Sequence, residues 1–436
     1  MKQDTQNYFQ PIEIPNEEIF TRCIHCGMCL AVCPTYDLTG LERSSPRGRI
    51  RLIKNVAEGE LPITELFAEE MDFCLDCQAC QTVCPAGVQF GQLVEASRAQ
   101  ISSAGKDRGR FAKRLFFRHI FPSHRRLKLL ARLLRIYQKY FRAILHKTGL
   151  FRLLPQSLRK IEPLAPAVSR KFSDQILSKI MRPDGDVKYT VGFLKGCLMN
   201  TMFAGINQDT VDVLLANHCE VLMPKGQVCC GSLAAHNGDF EIAKKLARKN
   251  IDVFLAHKPD AVVINSAGCS AFMKEYDQLL KDDEQYCERA KILAGMTKDI
   301  HRFLIEIDYK KPDHAVIKKV TYHDACHLAH TQNILAEPRQ IIQSIPGIEF
   351  VELNESTRCC GSAGIYNIVR YDDSMKILER KVNNIVQTDA EIVLAANPGC
   401  AVQIEYGLEH KGSKIKVMNP ITLLNMAYQN SSDGEE

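Results

Sequence analysis

Short apolar runs alternate with helical patterns through the second half of the chain. Val221-Leu222-Met223 and Ala261-Val262-Val263-Ile264 lie on either side of a helix predicted from Asp239 to His257. Strand, helix and strand in this order are typical of a parallel sheet covered by helices. The same order is predicted a second time, with Phe350-Val351, a helix near Asp373 to Gln387, and Ile392-Val393-Leu394.

A basic amphipathic helix is predicted ahead of these elements. Its apolar residues recur at steps of three and four: Leu127, Leu130, Leu134, Tyr137, Phe141 and Leu145. Residues 106–160 hold seventeen Lys or Arg and one acid, Asp107, which gives +16 in a chain of net charge +5. The helix could meet a partner subunit, an anionic membrane surface or the acidic remainder of this chain. Nucleic acid is not expected, because no base-stacking module or finger spacing accompanies the charge.

Composition sets the broad class. The 436 residues are 45% hydrophobic and 25% charged, as in a soluble globular protein of two to four domains. The polar N-terminus lacks the apolar core of a signal peptide, so we expect a cytoplasmic protein. No run approaches about eighteen apolar residues, so no membrane-spanning helix is expected, although peripheral attachment to the inner membrane surface stays open.

Two cysteine runs share the spacing C-x2-C-x2-C-x3-C-P. In two-cluster ferredoxins the last cysteine of each such run ligates the cluster of the other run, whereas structural zinc usually takes separated pairs. We therefore predict two [4Fe-4S] clusters, which pass single electrons and do not accept a hydride. The first is assigned to Cys23, Cys26, Cys29 and Cys84, and the second to Cys74, Cys77, Cys80 and Cys33.

The residues between the two runs, 34–73, exceed what a minimal ferredoxin needs. Ser45-Pro46-Arg47-Gly48-Arg49 predicts a turn followed by a helix start. Arg47 and Arg49 would bring positive charge close to anionic clusters, or meet an acidic partner. A solvated loop is the alternative.

An internal repeat becomes visible when the later cysteines are aligned. Cys197, Cys229-Cys230-Gly231 and Cys269 return as Cys326, Cys359-Cys360-Gly361 and Cys400, at offsets of 129, 130 and 131 residues. Several of these cysteines follow a predicted strand, where ligands of open parallel sheets gather. Glycines beside them, including Gly268 and Gly399, allow backbone N–H groups to approach sulfur. We predict a metal or cluster site in one or both units, against the alternative of buried thiols or vicinal disulfides.

The remaining candidates have open roles. His323 and His327 flank Cys326, and His236 follows the first Cys-Cys-Gly. Each could relay a proton, ligate iron, or support neighbouring residues by packing. Cys219 and Cys287 are interpreted as ordinary thiols.

At these residues the chain resembles the iron-sulfur subunits of glycolate oxidase, within the wider family that carries the cysteine-rich CCG domain. The resemblance implies a FAD-containing flavoprotein partner that oxidises glycolate or D-lactate, with electrons passing toward a membrane quinone. No G-x-G-x-x-G follows a predicted strand, so the chain is expected not to be catalytic alone. The motifs that carry the resemblance are the two cysteine runs, Ser45 to Ile50, Gly196-Cys197, Cys229-Cys230-Gly231, Ser266-Ala267-Gly268-Cys269, Lys274-Glu275-Tyr276, His323, Cys326, Cys359 to Gly364, and Gly399-Cys400.

Three other functions stay open: the iron-sulfur subunit of anaerobic glycerol-3-phosphate dehydrogenase, a catalytic subunit like those of heterodisulfide reductases, and a non-enzymatic adaptor with structural clusters. The resemblance to heterodisulfide reductases would imply a fifth thiolate in each unit, yet Phe272 and Gln403 stand at those positions. We expect an α+β multidomain fold with four parts: a helical two-[4Fe-4S] ferredoxin-like domain (1–105), a basic amphipathic helical connector (106–185), and two α/β CCG units with parallel sheets (186–310 and 311–436).

Overall fold

The computed structural model describes residues 8–10, 13–107 and 115–429. The N-terminal region is helical, as the sequence predicts, and its helices flank both cysteine runs along the chain. Ser45 caps the third helix by accepting a hydrogen bond from the Gly48 N–H at 3.1 Å, and proline occupies the first helical position. The α-helices are Glu17–Thr21, Pro34–Thr39, Pro46–Ala57, Glu65–Phe73, Ala79–Thr82 and Phe90–Ser103, with a 3-10 turn at Glu42–Ser44.

A helical connector follows, and part of the predicted basic segment, 108–114, lies outside the described residues. Its principal helix, His124–Ile136, begins at Ser123, whose side chain accepts from the Arg126 N–H at 3.4 Å. Leu127 and Ala131 face the protein and are buried. The other segments are π-helical Phe116–Ile120 and Tyr137–Phe141, α-helical Arg142–Lys147, Gln156–Ile161 and Ser173–Ile176, and 3-10 turns at Leu150–Leu153 and Glu162–Leu164.

The first of the two later units contains most of a five-stranded sheet. Its strands are β1 (Ile180–Met181), β2 (Tyr189–Phe193), β3 (Cys219–Leu222), β4 (Ala261–Ile264) and β5 (Thr297–Asp299), in the order β1-β3-β2-β4-β5. Only the β1–β3 pairing is antiparallel among these strands. The covering helices are Leu198–Thr201, Ala204–Ala216, Ser232–Ala235, Phe240–Leu255, Ala267–Lys274, Tyr276–Leu279, Cys287–Met296 and Ile300–Glu306.

The second of the two later units repeats this plan with a four-stranded parallel sheet. Its strands are β6 (Lys318–His323), β7 (Ile348–Val351), β8 (Ile392–Ala395) and β9 (Lys416–Met418), in the order β7-β6-β8-β9. Strand β8 is buried along its whole length, which is why its sequence is a continuous apolar run. The helices are Cys326–Ala329, Ala336–Gln343, Tyr366–Val369, Tyr371–Gln387, Pro398–His410 and Pro420–Tyr428.

The two units share one apolar core. The last described helix, Pro420–Tyr428, packs against Ala204–Ala216 of the first unit, and its Ile421, Leu423 and Leu424 are fully buried. Asp209 of the first unit accepts hydrogen bonds from Thr422 Oγ1 at 2.5 Å and from Asn425 Nδ2 at 3.1 Å. Burial of these apolar side chains fixes the two sheets relative to each other.

The connector differs from its predicted pattern, and Leu130 and Phe141 of the predicted stripe are exposed. The predicted stripe begins at buried Leu127, but a second apolar row points outward and is about half exposed. We call this row the outer stripe; it consists of Leu129, Leu133, Ile136, Tyr140 and Ile144. Within the described part of the chain, no helix combines the length and the apolar character needed to cross a bilayer.

Candidate iron-sulfur sites

The two N-terminal cysteine runs form the same backbone turn. His25 and Gly27 in the first run, and Asp76 and Gln78 in the second, have φ of 52°, 88°, 53° and 60°. These left-handed residues lie at matching places between the first three cysteines of each run. Such turns curl the chain so that several thiols converge on one point.

The converging thiols line two neighbouring cavities. Cys23, Cys26, Cys29 and Cys84 line the first cavity, while Cys33, Cys74 and Cys77 line the second cavity. The last cysteine of each run therefore lies beside the first three cysteines of the other run. Cys80 lines both cavities, so it lies in the wall between them.

Burial affects the ionisation of these thiols, and two arginines lie beside them. Burial raises the pKa of Cys77 and Cys80 well above the usual thiol range, and also raises that of Cys23. Arg47 lines the first cavity and donates from its Nη1 to the His25 carbonyl at 3.0 Å. Arg49 lines the second cavity, fully buried, and donates from Nε to the Glu70 carbonyl at 2.7 Å. Each cavity wall thus contains an arginine that is paired with a glutamate, Arg47 with Glu42 at 2.6 Å and Arg49 with Glu70 at 3.8 Å.

Each later unit gathers its four cysteines at the carboxyl ends of three adjacent strands. In the first unit Cys197 follows β2, Cys229 and Cys230 follow β3, and Cys269 lies in the helix after β4. Their sulfurs form two close pairs, Cys197 with Cys229 at 3.7 Å and Cys230 with Cys269 at 3.2 Å. Hydrogen bonds from Cys197 and Cys230 hold the pKa of Cys229 well below the usual thiol value.

The second unit pairs its thiols in the same way. Cys326 follows the central strand β6, the Cys359-Cys360 pair follows β7, and Cys400 lies in the helix after β8. The thiols of Cys326 and Cys359 lie close enough to shift each other's pKa values, and the sulfurs of Cys360 and Cys400 lie within 4.8 Å of each other. The Gly361 N–H reaches Cys359 Sγ at 3.4 Å, as expected for a backbone donor to sulfur. A Cβ on Gly361, which has φ of 90°, would lie 2.7 Å from the Ser374 carbonyl oxygen.

The second unit lies directly beside the second cavity. Phe73, Leu75 and Cys77 of the N-terminal region share an apolar cluster with Cys359 and Tyr366. After burial, the charge of Cys326 is the largest cause that raises the pKa of Cys77. The two sites are therefore close enough for their charges to interact.

Asn397 connects the two later units. Its Nδ2 lies 3.6 Å from Cys400 Sγ, and its Oδ1 accepts from the Gly268 N–H at 3.3 Å, next to Cys269. The four thiol-lined sites thus form a continuous series: first cavity, second cavity, second unit, first unit.

A group of charged residues that we call the junction cluster fills the space between the N-terminal region and the first unit. His236 Nδ1 lies 3.3 Å from Asp76 Oδ2 and forms a closer bond with Glu95. Burial alone would lower the pKa of His236, but Glu95 and Asp76 raise it well above its usual value. Burial would raise the pKa of Asp76, yet the hydrogen bond and charge of His236 lower it to about 2. Burial and Glu95 raise the pKa of neighbouring Glu275 to about 8.

The histidines singled out in the sequence therefore have different surroundings. His236 belongs to the junction cluster, and His327 approaches the Asp76 carbonyl with its Nε2 at 3.2 Å. His323 is buried beside thiols, where burial and then the charge of Lys381 lower its pKa well below the usual value. Lys381, a residue that the sequence analysis did not identify, donates to the Glu355 carbonyl at 2.5 Å.

The positions of the missing fifth thiolates are filled by packing residues. Phe272 is buried in the apolar core of the first unit. Gln403 is fully buried, accepts from Asn367 at 2.9 Å and donates to Ser374 at 2.9 Å. Neither side chain is free to bind metal.

The thiols fit iron-sulfur clusters. All eighteen cysteines are free, so none of the sixteen in the four sites is held in a disulfide. Buried thiols with raised pKa values lack a partner that would favour their ionisation, and metal coordination supplies one. A bound cluster would add one-electron transfer at these positions.

Comparisons with known proteins agree with this arrangement. Family models match for a 4Fe-4S dicluster domain at residues 19–88, for a cysteine-rich domain at 191–274 and 320–405, and for a glycolate oxidase iron-sulfur subunit linker region at 108–165. The chain is 40% identical to the probable glycolate oxidase iron-sulfur subunit of Bacillus subtilis, over 96% of this chain and 95% of that protein.

Two further relatives cover different shares of the chain. The glycolate oxidase iron-sulfur subunit of Escherichia coli is 30% identical over 89% of this chain and 90% of its own length. Lactate utilization protein A of Shouchella clausii is 33% identical over 52% of this chain and 95% of its own length. The predicted resemblance is confirmed: the chain belongs to the family of glycolate oxidase iron-sulfur subunits, which are electron-transfer subunits of an oxidoreductase complex.

Proposed function

We propose that this chain carries electrons from a FAD-containing flavoprotein subunit, which oxidises glycolate or D-lactate, toward a quinone. The observation that carries the proposal is the continuous series of four thiol-lined sites. Clusters in such a series would move single electrons across the protein without any hydride-accepting group in this chain.

The two cavities support an assignment of the cluster ligands. We assign Cys23, Cys26, Cys29 and Cys84 to one [4Fe-4S] cluster, and Cys74, Cys77, Cys80 and Cys33 to the other. The four cysteines of each later unit would hold one further metal centre, or cluster, per unit. Anaerobically purified protein should then contain about eight irons from the two cubanes, and more if the later units are loaded.

The first cavity is the site best placed to meet a redox partner. Cys26 is exposed, and Ile24 and Met28 beside it are 68% and 56% exposed. In contrast, Cys33 and Cys74 of the second cavity are buried. Ile24 and Met28 form an apolar rim, and we propose that the flavoprotein docks on it. An electron must enter where a cluster approaches the surface.

Reconstitution tests the proposal. The isolated chain should oxidise neither glycolate nor D-lactate, and adding the flavoprotein should give turnover with a quinone acceptor. Ile24→Glu with Met28→Glu should slow cluster reduction by the flavoprotein but leave chemical reduction by dithionite unchanged. Robust oxidation by this chain alone would refute the proposal, and turnover with glycerol 3-phosphate in place of both hydroxyacids would favour the anaerobic glycerol-3-phosphate dehydrogenase alternative.

The outer stripe supports peripheral attachment to an anionic membrane surface. Exposed cations, including Arg125, Arg126 and Arg132, accompany the five half-exposed apolar residues. Each cation near anionic headgroups contributes about 1 kcal/mol, and the apolar stripe adds an area-dependent contribution. This position would bring the series of sites close to a membrane quinone.

Vesicle sedimentation separates this proposal from subunit docking. The complex should bind anionic vesicles at low salt and be partly released at high salt. Reversing Arg125, Arg126 and Arg132 to Glu should abolish binding and leave cluster reduction by substrate intact. Arg135 is not suitable for reversal, because it is partly buried and donates to the Ser169 carbonyl. Arg126 and Arg132 contact the His119 carbonyl and the Phe172 ring, but both side chains are exposed. Loss of the flavoprotein from the reversed variant would show a subunit interface instead.

A further inference from the structure

His323 occupies a special position in the second unit. It is the last residue of the central strand β6, three residues before Cys326, and its side chain is 1% exposed. One ring nitrogen of His323 and the sulfurs of Cys360 and Cys400 all lie within 4.8 Å of one another. The imidazole therefore belongs to the thiol site itself and not to its surroundings.

The imidazole ring of His323 lacks hydrogen-bond partners. Both nitrogens are buried without a partner of standard geometry, although the Ser356 carbonyl lies close enough to act on the ring. An unsatisfied buried polar group costs about 1–3 kcal/mol, so a site that keeps one needs compensation. Metal-binding histidines usually donate their second N–H to a carboxylate or a backbone carbonyl. With one ring nitrogen on a metal, the Ser356 carbonyl would accept the N–H of the other nitrogen.

The first unit lacks this donor. In the strand registers, Val320 of β6 pairs with Ile392 and Val191 of β2 pairs with Ala261, so His323 corresponds to Leu194. Leu194 is 1% exposed, belongs to the same apolar cluster as Cys197 and offers no ligand atom. The two units thus share the paired thiols but differ at this one buried position.

We propose that His323 is a nitrogen ligand of the metal centre in the second unit, which then has a mixed thiolate and imidazole ligand set. The centre of the first unit would have thiolate ligands only. The inference rests on the proposed function, since it requires that the cysteines of the second unit bind metal. Thiolate with imidazole suits iron and zinc alike, so the shared chemistry is a metal ion that prefers sulfur and nitrogen ligands.

The test uses the full chain, purified anaerobically, with histidine labelled by nitrogen-15. Iron and zinc contents, electron-nuclear double resonance and X-ray absorption at both metal edges are measured on wild type and variants. Cys400→Ser identifies the signals of the second unit. His323→Leu copies the residue of the first unit, and His323→Cys replaces the neutral imidazole by an anionic thiolate. His327→Gln is the control that removes a nearby imidazole bonded to the Asp76 carbonyl.

Wild type should show one imidazole nitrogen on the centre that Cys400→Ser removes, and His323→Leu should lose it. His327→Gln should keep it. If the centre contains iron, His323→Cys should keep the metal and lower the reduction potential, because a thiolate replaces a neutral ligand. The signals of the two N-terminal clusters should be unchanged in every variant, which shows that the variants are folded.

The possible failures are distinguishable. A loaded second unit without imidazole coordination in wild type, or with coordination that survives in His323→Leu, would overturn this inference alone. A second unit that binds no metal in wild type would overturn both the inference and the proposed metal site.

Discussion

Gly238 controls how closely the first unit approaches the N-terminal region. It has φ of 80°, and a Cβ at this position would lie 2.6 Å from both Ala99 N and the Arg98 carbonyl carbon. These are backbone atoms of the helix Phe90–Ser103, so no side chain can turn aside. Gly238→Ala must therefore separate the two parts or distort one of them.

The expected loss of folding stability in Gly238→Ala has two contributions. A left-handed non-glycine residue costs about 1–2 kcal/mol, and overpacking a close contact adds about 1–3 kcal/mol. Gly226→Ala is the matched control, because Gly226 has φ of 95° but its Cβ would meet only Val253 Cγ2, at 3.4 Å. The difference between the two variants, about 1–3 kcal/mol, isolates the close approach.

Hydrogen exchange and urea unfolding of the anaerobic protein provide the measurement. Gly238→Ala should unfold at lower urea than Gly226→Ala, and it alone should lose protection in the helix Phe90–Ser103. Equal losses of stability and protection in both variants would refute the reasoning.

Three further predictions concern individual side chains. Cys80→Ser should remove the paramagnetic signal of the second cluster, while Cys287→Ser keeps both signals; two intact signals in Cys80→Ser would contradict the ligand assignment. Arg47→Gln should lower the potential of the first cluster, because a cation leaves its wall, whereas Arg51→Gln on the same helix should not; redox titration measures both. Below about pH 4.5, Glu275 is protonated in both folded and unfolded states; as the pH rises toward about 8, only the unfolded state releases the proton. Wild type should therefore lose stability relative to Glu275→Gln across this window in urea unfolding, and a constant difference would contradict the raised pKa.

The sequence was sufficient for features that depend on local pattern. Alternating apolar runs placed β4 and β8, and the serine and proline before Arg47 placed a helix start. The repeated spacing of the cysteines predicted that the later thiols lie at the ends of strands. Such features follow from periodicity and capping, which act within one or two turns.

Other features depend on tertiary contacts between distant residues. His236 and Glu95 are 141 positions apart, and no short pattern marks their meeting in the junction cluster. The outer stripe was missed because the helix is apolar on two sides, and only packing determines which side is covered. In the sequence Lys381 is one of several cations on an amphipathic helix, and only its contact with the Glu355 carbonyl distinguishes it from the others.

The helix Pro420–Tyr428 has a consequence for synthesis of the chain. It covers Ala204–Ala216, yet it leaves the ribosome about two hundred residues later. At roughly 5–20 residues per second, the apolar face of the earlier helix stays uncovered for about 10–40 seconds. Chaperone capture and delivery of iron to the first unit have this interval in which to act, and docking of the helix Pro420–Tyr428 ends it.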